Sequence, residues 1–255
     1  MLKSFISAFQ MYSRIPMPKV EWNEKNRRYS LCFFPVIGAV IGVLTVLWQL
    51  LCERLCFGSF MFGAVVMLIN ILVTGGIHLD GFCDTCDARA SWGDKEKKLA
   101  ILKDSHIGAF AAIKLGVYLI VSTAALSELF SFEGAVITGL GYVLSRSLSG
   151  LTAVTFRGAK KEGTLQSFTE PAHKKITLIV LSAMAVLSCT AMMLVSLSAG
   201  AAVTAAVLLA VLYYRCISYR EFGGITGDLA GWFLQMCELV IALTAAIVLR
   251  LTEVI

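Results

Sequence analysis

Residues Phe57–Asp87 read FGSFMFGAVVMLINILVTGGIHLDGFCDTCD. A membrane-type apolar run reaches Gly75-Gly76, and three acids, Asp80, Asp84 and Asp87, follow at spacings of four and three. On a helix those spacings are about 400° and 300°, so the three carboxylates fall within an arc of about 60°. Three like charges stacked beside a bilayer must be neutralised. A divalent cation does this economically, and carboxylate oxygens suit Mg²⁺. Asp80, Asp84 and Asp87 are therefore expected to bind Mg²⁺. Magnesium held by aspartates at a membrane surface suggests handling of phosphate or diphosphate groups.

The rest of the chain agrees with a membrane setting. Of 255 residues, 58% are hydrophobic and 15% charged, against about 25% charged in an average soluble domain. The mean hydropathy is +0.79. Apolar stretches of about 20 residues lie near Leu31–Leu51, Phe57–Ile77, Ile107–Leu126, Gly134–Phe156, Ile176–Leu197, Ala199–Tyr214 and Leu229–Leu251. The expected fold is all-α, a polytopic helical bundle of about seven transmembrane helices. The polar gaps are short, so residues 1–255 read as a single transmembrane catalytic domain.

Charge orients the bundle. Lys3, Arg14, Lys19, Lys25, Arg27 and Arg28 precede the first span, and Arg54 alone follows it. Lys/Arg-rich and Lys/Arg-poor loops then alternate, as expected for seven spans with a cytoplasmic N-terminus and an external C-terminus. The net charge of +5 is mostly this topology signal. No aromatic-basic module accompanies it, so nucleic acid is not an expected partner. Leu2, Phe5, Ile6, Phe9 and Tyr12 recur at helical spacing before Pro16 and Pro18, which predicts a short N-terminal helix in the membrane interface. Cys83-x-x-Cys86 lacks the further soft ligands that zinc needs, and both thiols are expected to pack on the back of the aspartate helix.

Four polar clusters fall on the expected cytoplasmic side. The first is the aspartate stripe. The second is Lys103-Asp104-Ser105-His106-Ile107-Gly108, and the third runs from Phe156-Arg157-Gly158 through Lys160, Lys161 and Glu162 to Thr164. The fourth is Gly223-Gly224-Ile225-Thr226-Gly227-Asp228, where glycine-rich backbone opens a helix. That pattern resembles a phosphate cradle built from free N–H groups. Asp228 either joins the metal site or only caps its helix. His78 either contacts phosphate or caps the aspartate helix. The run Asp94–Lys98 is expected to be a solvated face.

Lys114, Arg146 and Glu238 lie inside spans. Each costs about 2.5–3.5 kcal/mol to insert, so each should face the bundle interior, or snorkel in the case of Lys114. Arg146 has two readings: a structural ion pair with Glu238, or a grip on a diphosphate. Asp228 and Glu238 are about 15 Å apart along one helix and cannot share a metal unless that helix is broken.

Gly75-Gly76-Ile77-His78-Leu79-Asp80-Gly81-Phe82-x-Asp84-Thr85-x-Asp87 resembles the signature of the cobalamin synthase family, adenosylcobinamide-GDP ribazoletransferase. Ser13-Arg14-Ile15-Pro16-Met17-Pro18, Phe34-Pro35-x-x-Gly38, Asp104-Ser105-x-Ile107-Gly108-Ala109-Phe110, Ser145-Arg146 and Gly223–Asp228 follow the family's order. Cys83 and Cys86 stand where the family usually has alanines, Ala88 where a glycine is common, and His106 where arginine is usual. The resemblance implies a Mg²⁺-dependent enzyme of the cytoplasmic (inner) membrane of a prokaryote. Its substrates would be adenosylcobinamide-GDP and α-ribazole or α-ribazole 5′-phosphate. The implied reaction moves the adenosylcobinamide-phosphate moiety to the acceptor's 5′-hydroxyl and releases GMP. The partners are those substrates and the lipid bilayer; a homo-oligomer is left open.

Phosphoryl transfer of this kind needs charge neutralisation and in-line alignment. The expected metal ligands are Asp80, Asp84, Asp87 and Asp228, with Asp87 as the proton acceptor. Asp84, Arg146 and His78 complete the catalytic set. Asp104, Ser105, Arg157, Gly223, Gly224, Thr226 and Gly227 are the expected substrate contacts. The nearest rival is a CDP-alcohol phosphotransferase, but Asp80-Gly81-x-x-Asp84-Thr85 breaks that class's Ala-Arg step. An ion-coupled transporter, with Arg146 and Glu238 as its gate, would place its acids near the midplane and often shows repeats; here the main acids cluster at one face and no repeat appears.

Overall fold

The computed structural model describes residues 1–104, 106–159 and 164–254. The helices in chain order are α1 (Leu2–Tyr12), α2 (Glu24–Arg27), α3 (Phe34–Leu55), α4 (Ser59–Thr74), α5 (Ile77–Ala90), α6 (Lys95–Ile101), α7 (Ala109–Glu128), α8 (Phe132–Thr155), α9 (Thr164–Thr169), α10 (Lys174–Val195), α11 (Leu197–Glu221) and α12 (Gly227–Val254). A 3-10 turn, Ser30–Phe33, leads into α3. The bundle consists of α3, α4, α7, α8, α10, α11 and α12, one helix for each expected apolar stretch.

Five segments are long and apolar enough to cross a membrane: Glu24–Leu55, Ala109–Glu128, Lys174–Val195, Leu197–Glu221 and Gly227–Val254. The number becomes six if α4 and α5 count as one broken span. This is fewer than seven for two physical reasons. Helix α4 has only 16 residues before its glycines stop it. Helix α8 is too polar, with Ser145, Arg146, Ser147, Ser149 and Thr152 all buried. It lies at the centre of the bundle against α3, α10 and α12, so its polar groups meet protein rather than lipid.

Small residues make that centre possible. A Cβ on Gly38 would lie 2.3 Å from the Tyr142 carbonyl oxygen, and one on Gly42 would lie 2.8 Å from Gly139 Cα. Helices α3 and α8 thus touch backbone to backbone, as small residues allow between membrane helices. Helix α1 docks on this unit through rings: Phe5 is 5.5 Å from Phe33, and Tyr12 is 4.4 Å from Phe34. Its Ser4, Ser7, Ala8 and Phe9 are buried while Leu2 is exposed. The N-terminal helix therefore spends part of its apolar stripe on the protein.

Contacts gather the starts of α3, α7, α10 and α12 and the ends of α4, α8 and α11 at one end of the bundle. The Arg14 N–H donates to Val73 O at 2.8 Å, His173 N to Arg28 O at 3.0 Å, and Ile225 N to Arg157 O at 2.9 Å. Glu221 accepts from Arg89 and Lys98 at 3.3 and 2.7 Å. Lys98 is thus paired, not a free member of a solvated run. At the opposite end Arg250 pairs with Glu128 at 3.0 Å.

Helix α5 is laid across the first of these ends. It turns 96° away from α4 at Gly75-Gly76. Both glycines have positive φ, 66° and 78°, a region L side chains adopt only with strain. Helix α5 is polar, and its buried face (His78, Gly81, Phe82, Cys83, Thr85, Cys86 and Ala88) packs on α12 and α7. By itself α5 is too short and too polar to span a membrane, and it lies across the end of the spanning helices.

Deep in the bundle, Arg146 Nη1 donates to Glu238 Oε1 at 2.6 Å, with both side chains almost fully enclosed. Asn70 Nδ2 donates to Glu238 Oε2 at 2.7 Å, and Asn70 Oδ1 accepts from Arg146 Nη2 at 3.3 Å. Ser145 Oγ donates to Glu238 Oε1 at 3.2 Å. This network ties α4, α8 and α12 together. Glu238→Ala should strand the Arg146 charge and cost about 3–5 kcal/mol. Arg146→Met with Glu238→Leu should recover most of that loss, both read as melting temperatures in detergent. A double variant no more stable than Glu238→Ala would refute the structural role of the pair.

Candidate active site

The helical stripe expected from the spacing is present in α5, but its three carboxylates have different surroundings. Asp87 is engaged with the start of α7. Its Oδ2 accepts from Gly108 N at 2.6 Å and its Oδ1 from Ala111 N at 2.8 Å. Gly108 allows the approach, since a Cβ there would lie 2.7 Å from the carboxylate. Asp87 thus caps α7 from another helix, where the helix dipole favours an anion.

Asp84 is half-buried. Its carboxyl is pushed up to about 7, first by burial and then by the charges of Asp80, Asp228, Asp87 and Asp104. Asp80 and Asp84 line an open cleft of ≈ 680 Å³ with Ser13, Arg14, Thr74 and Gly75. Asp80 also borders a second cleft, ≈ 250 Å³, with Tyr12, Phe34, His78, Ser149 and Asp228. Asp228 reaches this place because Gly81 lets α12 approach: a Cβ on Gly81 would lie 2.8 Å from Asp228 O.

The cap of α12 is Thr226, whose Oγ1 accepts from Leu229 N at 3.2 Å. Asp228 sits in the helix's first turn and accepts from Thr226 Oγ1 at 3.4 Å. His78 is buried beside Phe34, 5.7 Å between ring centres, and its Nε2 has no hydrogen-bond partner among the described residues. It does not cap α5. Burial, with Arg146 second, lowers its pKa to about 3, so it is neutral and offers a phosphate no charge.

The third and fourth clusters do come together. Arg157 Nη2 donates to Gly223 O at 2.9 Å, and Gly158 and Ile225 form a parallel bridge. A Cβ on Gly224 would strike the Arg157 carbonyl oxygen at 2.5 Å. Two N–H groups of the expected phosphate cradle are engaged within the protein, Gly224 N with Ser218 O and Ile225 N with Arg157 O. Gly227 lines the smaller cleft; Arg157, Gly223 and Gly224 line neither. Asp104 is exposed, with its Oδ1 2.7 Å from His106 Nδ1. Ser105, Lys160, Lys161, Glu162 and Gly163 lie outside the described residues, as does the side chain of Thr164. Arg146 is committed to Glu238 and lines neither cleft, so the ion-pair reading describes it.

A comparison with known proteins bears on what these clefts do. The profile of the cobalamin-5-phosphate synthase family matches residues 4–246. The chain belongs to this family. An adenosylcobinamide-GDP ribazoletransferase of Lachnoclostridium phytofermentans is 43% identical over 248 residues, covering 96% of this chain and 94% of that protein. Proteins of the same name from Clostridium botulinum strain Alaska E43 and Treponema denticola are each 32% identical, covering 94% and 96% of this chain and 95% and 97% of their own. No solved structure matches.

For this cobalamin-5-phosphate synthase family member, the fit of Mg²⁺ can be judged on the carboxylates. Among the described residues no three acid, His or Cys side chains are arranged to hold one ion together, so the expected four-aspartate set is not assembled around one point. Mg²⁺ commonly takes one or two carboxylates and completes its shell with substrate phosphate and water. Asp80 and Asp84 in the open cleft suit that mode, and the raised pKa of Asp84 reflects burial first and then the neighbouring aspartates. Sequence reasoning missed Arg14 in the same cleft. The available signal was a lone base between an amphipathic helix and Pro16-x-Pro18.

Asp84 makes stability depend on pH. Its folded pKa, about 7, exceeds the unfolded value of about 4. The folded state then holds the extra proton, so stability falls as pH rises from about 4 to about 7. In EDTA, Asp84→Asn should therefore melt above wild type, by a margin that grows between pH 5 and pH 8. A margin that does not change with pH would show that Asp84 carries no such burden.

Proposed function

We propose that this protein is the adenosylcobinamide-GDP ribazoletransferase of its organism, joining an α-ribazole acceptor to adenosylcobinamide-GDP late in cobalamin synthesis, with the chemistry at Asp80. The observation that carries the reading is that two clefts of different character meet at Asp80. The open, polar cleft suits the large donor and its diphosphate. The smaller cleft, with Tyr12, Phe34 and His78 in its wall, suits a flat aromatic base with its ribose.

Asp80 and Asp84 would hold Mg²⁺. When bound, the ion neutralises the diphosphate and the charge that develops on departing GMP. The protein's own residues do the rest. Helix α5, fixed to α7 by Asp87 and to α12 through Gly81, holds the two carboxylates beside the donor. Asp228, across Gly81 in the smaller cleft, takes the proton from the acceptor hydroxyl. The new bond joins that oxygen to the phosphorus bearing cobinamide. The bond from this phosphorus to the bridging oxygen breaks, and GMP leaves with that oxygen. Asp87 is a poorer base than Asp228, because both its oxygens already accept peptide hydrogen bonds.

The family description also bears on the nucleophile. A product that carries a 5-phosphate cannot have been joined through the ribose 5′ oxygen. We therefore assign the attack to a ring hydroxyl of the ribose, in place of the 5′-hydroxyl expected from the sequence. The Lys/Arg distribution supports a cytoplasmic N-terminus and site, and the bacterial relatives support the cytoplasmic (inner) membrane of a prokaryote.

Purified protein with adenosylcobinamide-GDP, Mg²⁺ and α-ribazole 5′-phosphate should release GMP, and excess EDTA should stop it. Asp80→Asn or Asp84→Asn should lower turnover about a hundredfold or more. Asp87→Asn should chiefly lower the melting temperature. Full activity in EDTA sinks the magnesium role. A phosphorylated acceptor that is refused, beside an unphosphorylated one that is used, returns the attack to the 5′ oxygen.

Orientation has its own test, cysteine labelling with a membrane-impermeant thiol reagent in a cysteine-depleted background. Ser198→Cys should label in intact cells and Lys103→Cys only after permeabilisation. Labelling of both from the same side would overturn the proposed orientation.

A further inference from the structure

We propose that Arg14 is a phosphate-binding residue of the open cleft, contacting a phosphate group of a substrate beside the Asp80–Asp84 pair. The inference rests on the transfer reaction proposed above and adds a residue to it.

Three observations support it. Arg14, Asp80 and Asp84 are the charged residues that line the ≈ 680 Å³ cleft. Opposite charges sharing a cleft usually pair, yet the Arg14 side chain makes no ion pair or hydrogen bond among the described residues. A cation and two carboxylates facing the same space without joining suit a ligand of mixed charge, namely a phosphate with its divalent cation. Carboxylates hold the metal, and a guanidinium can take the remaining phosphate oxygens two at a time.

The second observation is how Arg14 is held. Its N–H donates to Val73 O at 2.8 Å. Ser13 Oγ donates to Phe9 O at 2.7 Å, and Pro16 and Pro18 stiffen the chain beyond it. The backbone at position 14 is thus fastened to the end of α4.

The third is Gly75. A Cβ there would lie 2.4 Å from Arg14 Cγ and 2.5 Å from Arg14 Nε. Gly75 therefore serves twice: it turns the chain at φ 66° and leaves room for the arginine stem to lie over the turn. The residue that aims the acids into the cleft also seats the cation beside them.

The phosphate has two sources, the donor's diphosphate and a 5′-phosphate on the acceptor. The test uses Arg14→Gln and Arg14→Lys in the full-length protein in detergent. Melting temperature checks the fold. The KM for adenosylcobinamide-GDP is measured with α-ribazole and with α-ribazole 5′-phosphate as acceptors, and the KM of each acceptor is measured too. Arg14→Gln should raise the KM of the phosphate-bearing substrate about ten- to hundredfold, and Arg14→Lys less.

A rise for the donor with either acceptor identifies the diphosphate. A rise confined to α-ribazole 5′-phosphate identifies the acceptor's phosphate. As a probe independent of turnover, Mg²⁺-GDP (donor source) or Mg²⁺ with α-ribazole 5′-phosphate (acceptor source) should raise the melting temperature of wild type more than that of Arg14→Gln. Unchanged KM values and equal ligand-induced shifts overturn the proposal. So does a lowered melting temperature with a fall in kcat alone, which would make Arg14 only a fastener of the N-terminal segment. In both cases wild type still releases GMP, so the proposed reaction stands or falls separately.

Discussion

The turn at Gly75-Gly76 is the constraint on which the active end of this bundle depends. Two consecutive residues in the left-handed region bend the chain by 96°. Without that bend, the acid stripe of α5 would continue the direction of α4 instead of crossing the starts of α7 and α12. Neither alignment is cheap. A straight continuation would carry a polar helix away from its partners, and this turn, with positive φ at both residues, would be strained with side chains there. Glycine at both positions resolves the conflict. Once α5 is across the end, its contacts follow: Asp87 reaches Gly108, and Gly81 meets Asp228.

A second requirement lies deeper. A polar helix at the middle of a membrane bundle is stable only if each polar group finds a partner. Helix α8 meets this at all but Arg146 Nε among the described residues, through Arg146, Glu238, Asn70 and Ser145 and through serine and threonine hydroxyls that donate to their own helix's carbonyls. The glycines that face α3 bring the backbones close enough to exclude lipid. The network joins α4, α8 and α12, and α4 and α12 are the helices that position α5. The buried ion pair thus supports the site from a distance without touching the clefts.

Much of this was legible in the sequence, and what was not has physical reasons. The seven apolar stretches became seven helices because hydropathy reports burial in lipid or protein alike. The same property hid the difference between α8 and its neighbours. Helix α11 runs to Glu221, past the Tyr214 limit expected from hydropathy, because its last turns, with Arg215, Ser218, Arg220 and Glu221, are polar rather than apolar. The stripe of Asp80, Asp84 and Asp87 was readable from spacing alone. The partners of its members were not, since Gly108, Asp228 and Arg14 come from other elements. For Arg146, sequence gives depth but not direction around the helix, so both of its readings stood until Glu238 was seen beside it. The close approach of Gly224 to Arg157 and Ala159 is a tertiary fact that no local pattern reveals.

The bond between Asp87 and the start of α7 has a consequence for the charge balance of the whole acid stripe. A helix N-terminus carries roughly half a positive elementary charge. By donating two of its N–H groups to Asp87, α7 acts as a built-in, immobile counter-ion for one of the three carboxylates on α5. What is left to the open cleft is Asp80 and Asp84 with Arg14 beside them, an excess of acid over base that the fold itself does not cancel.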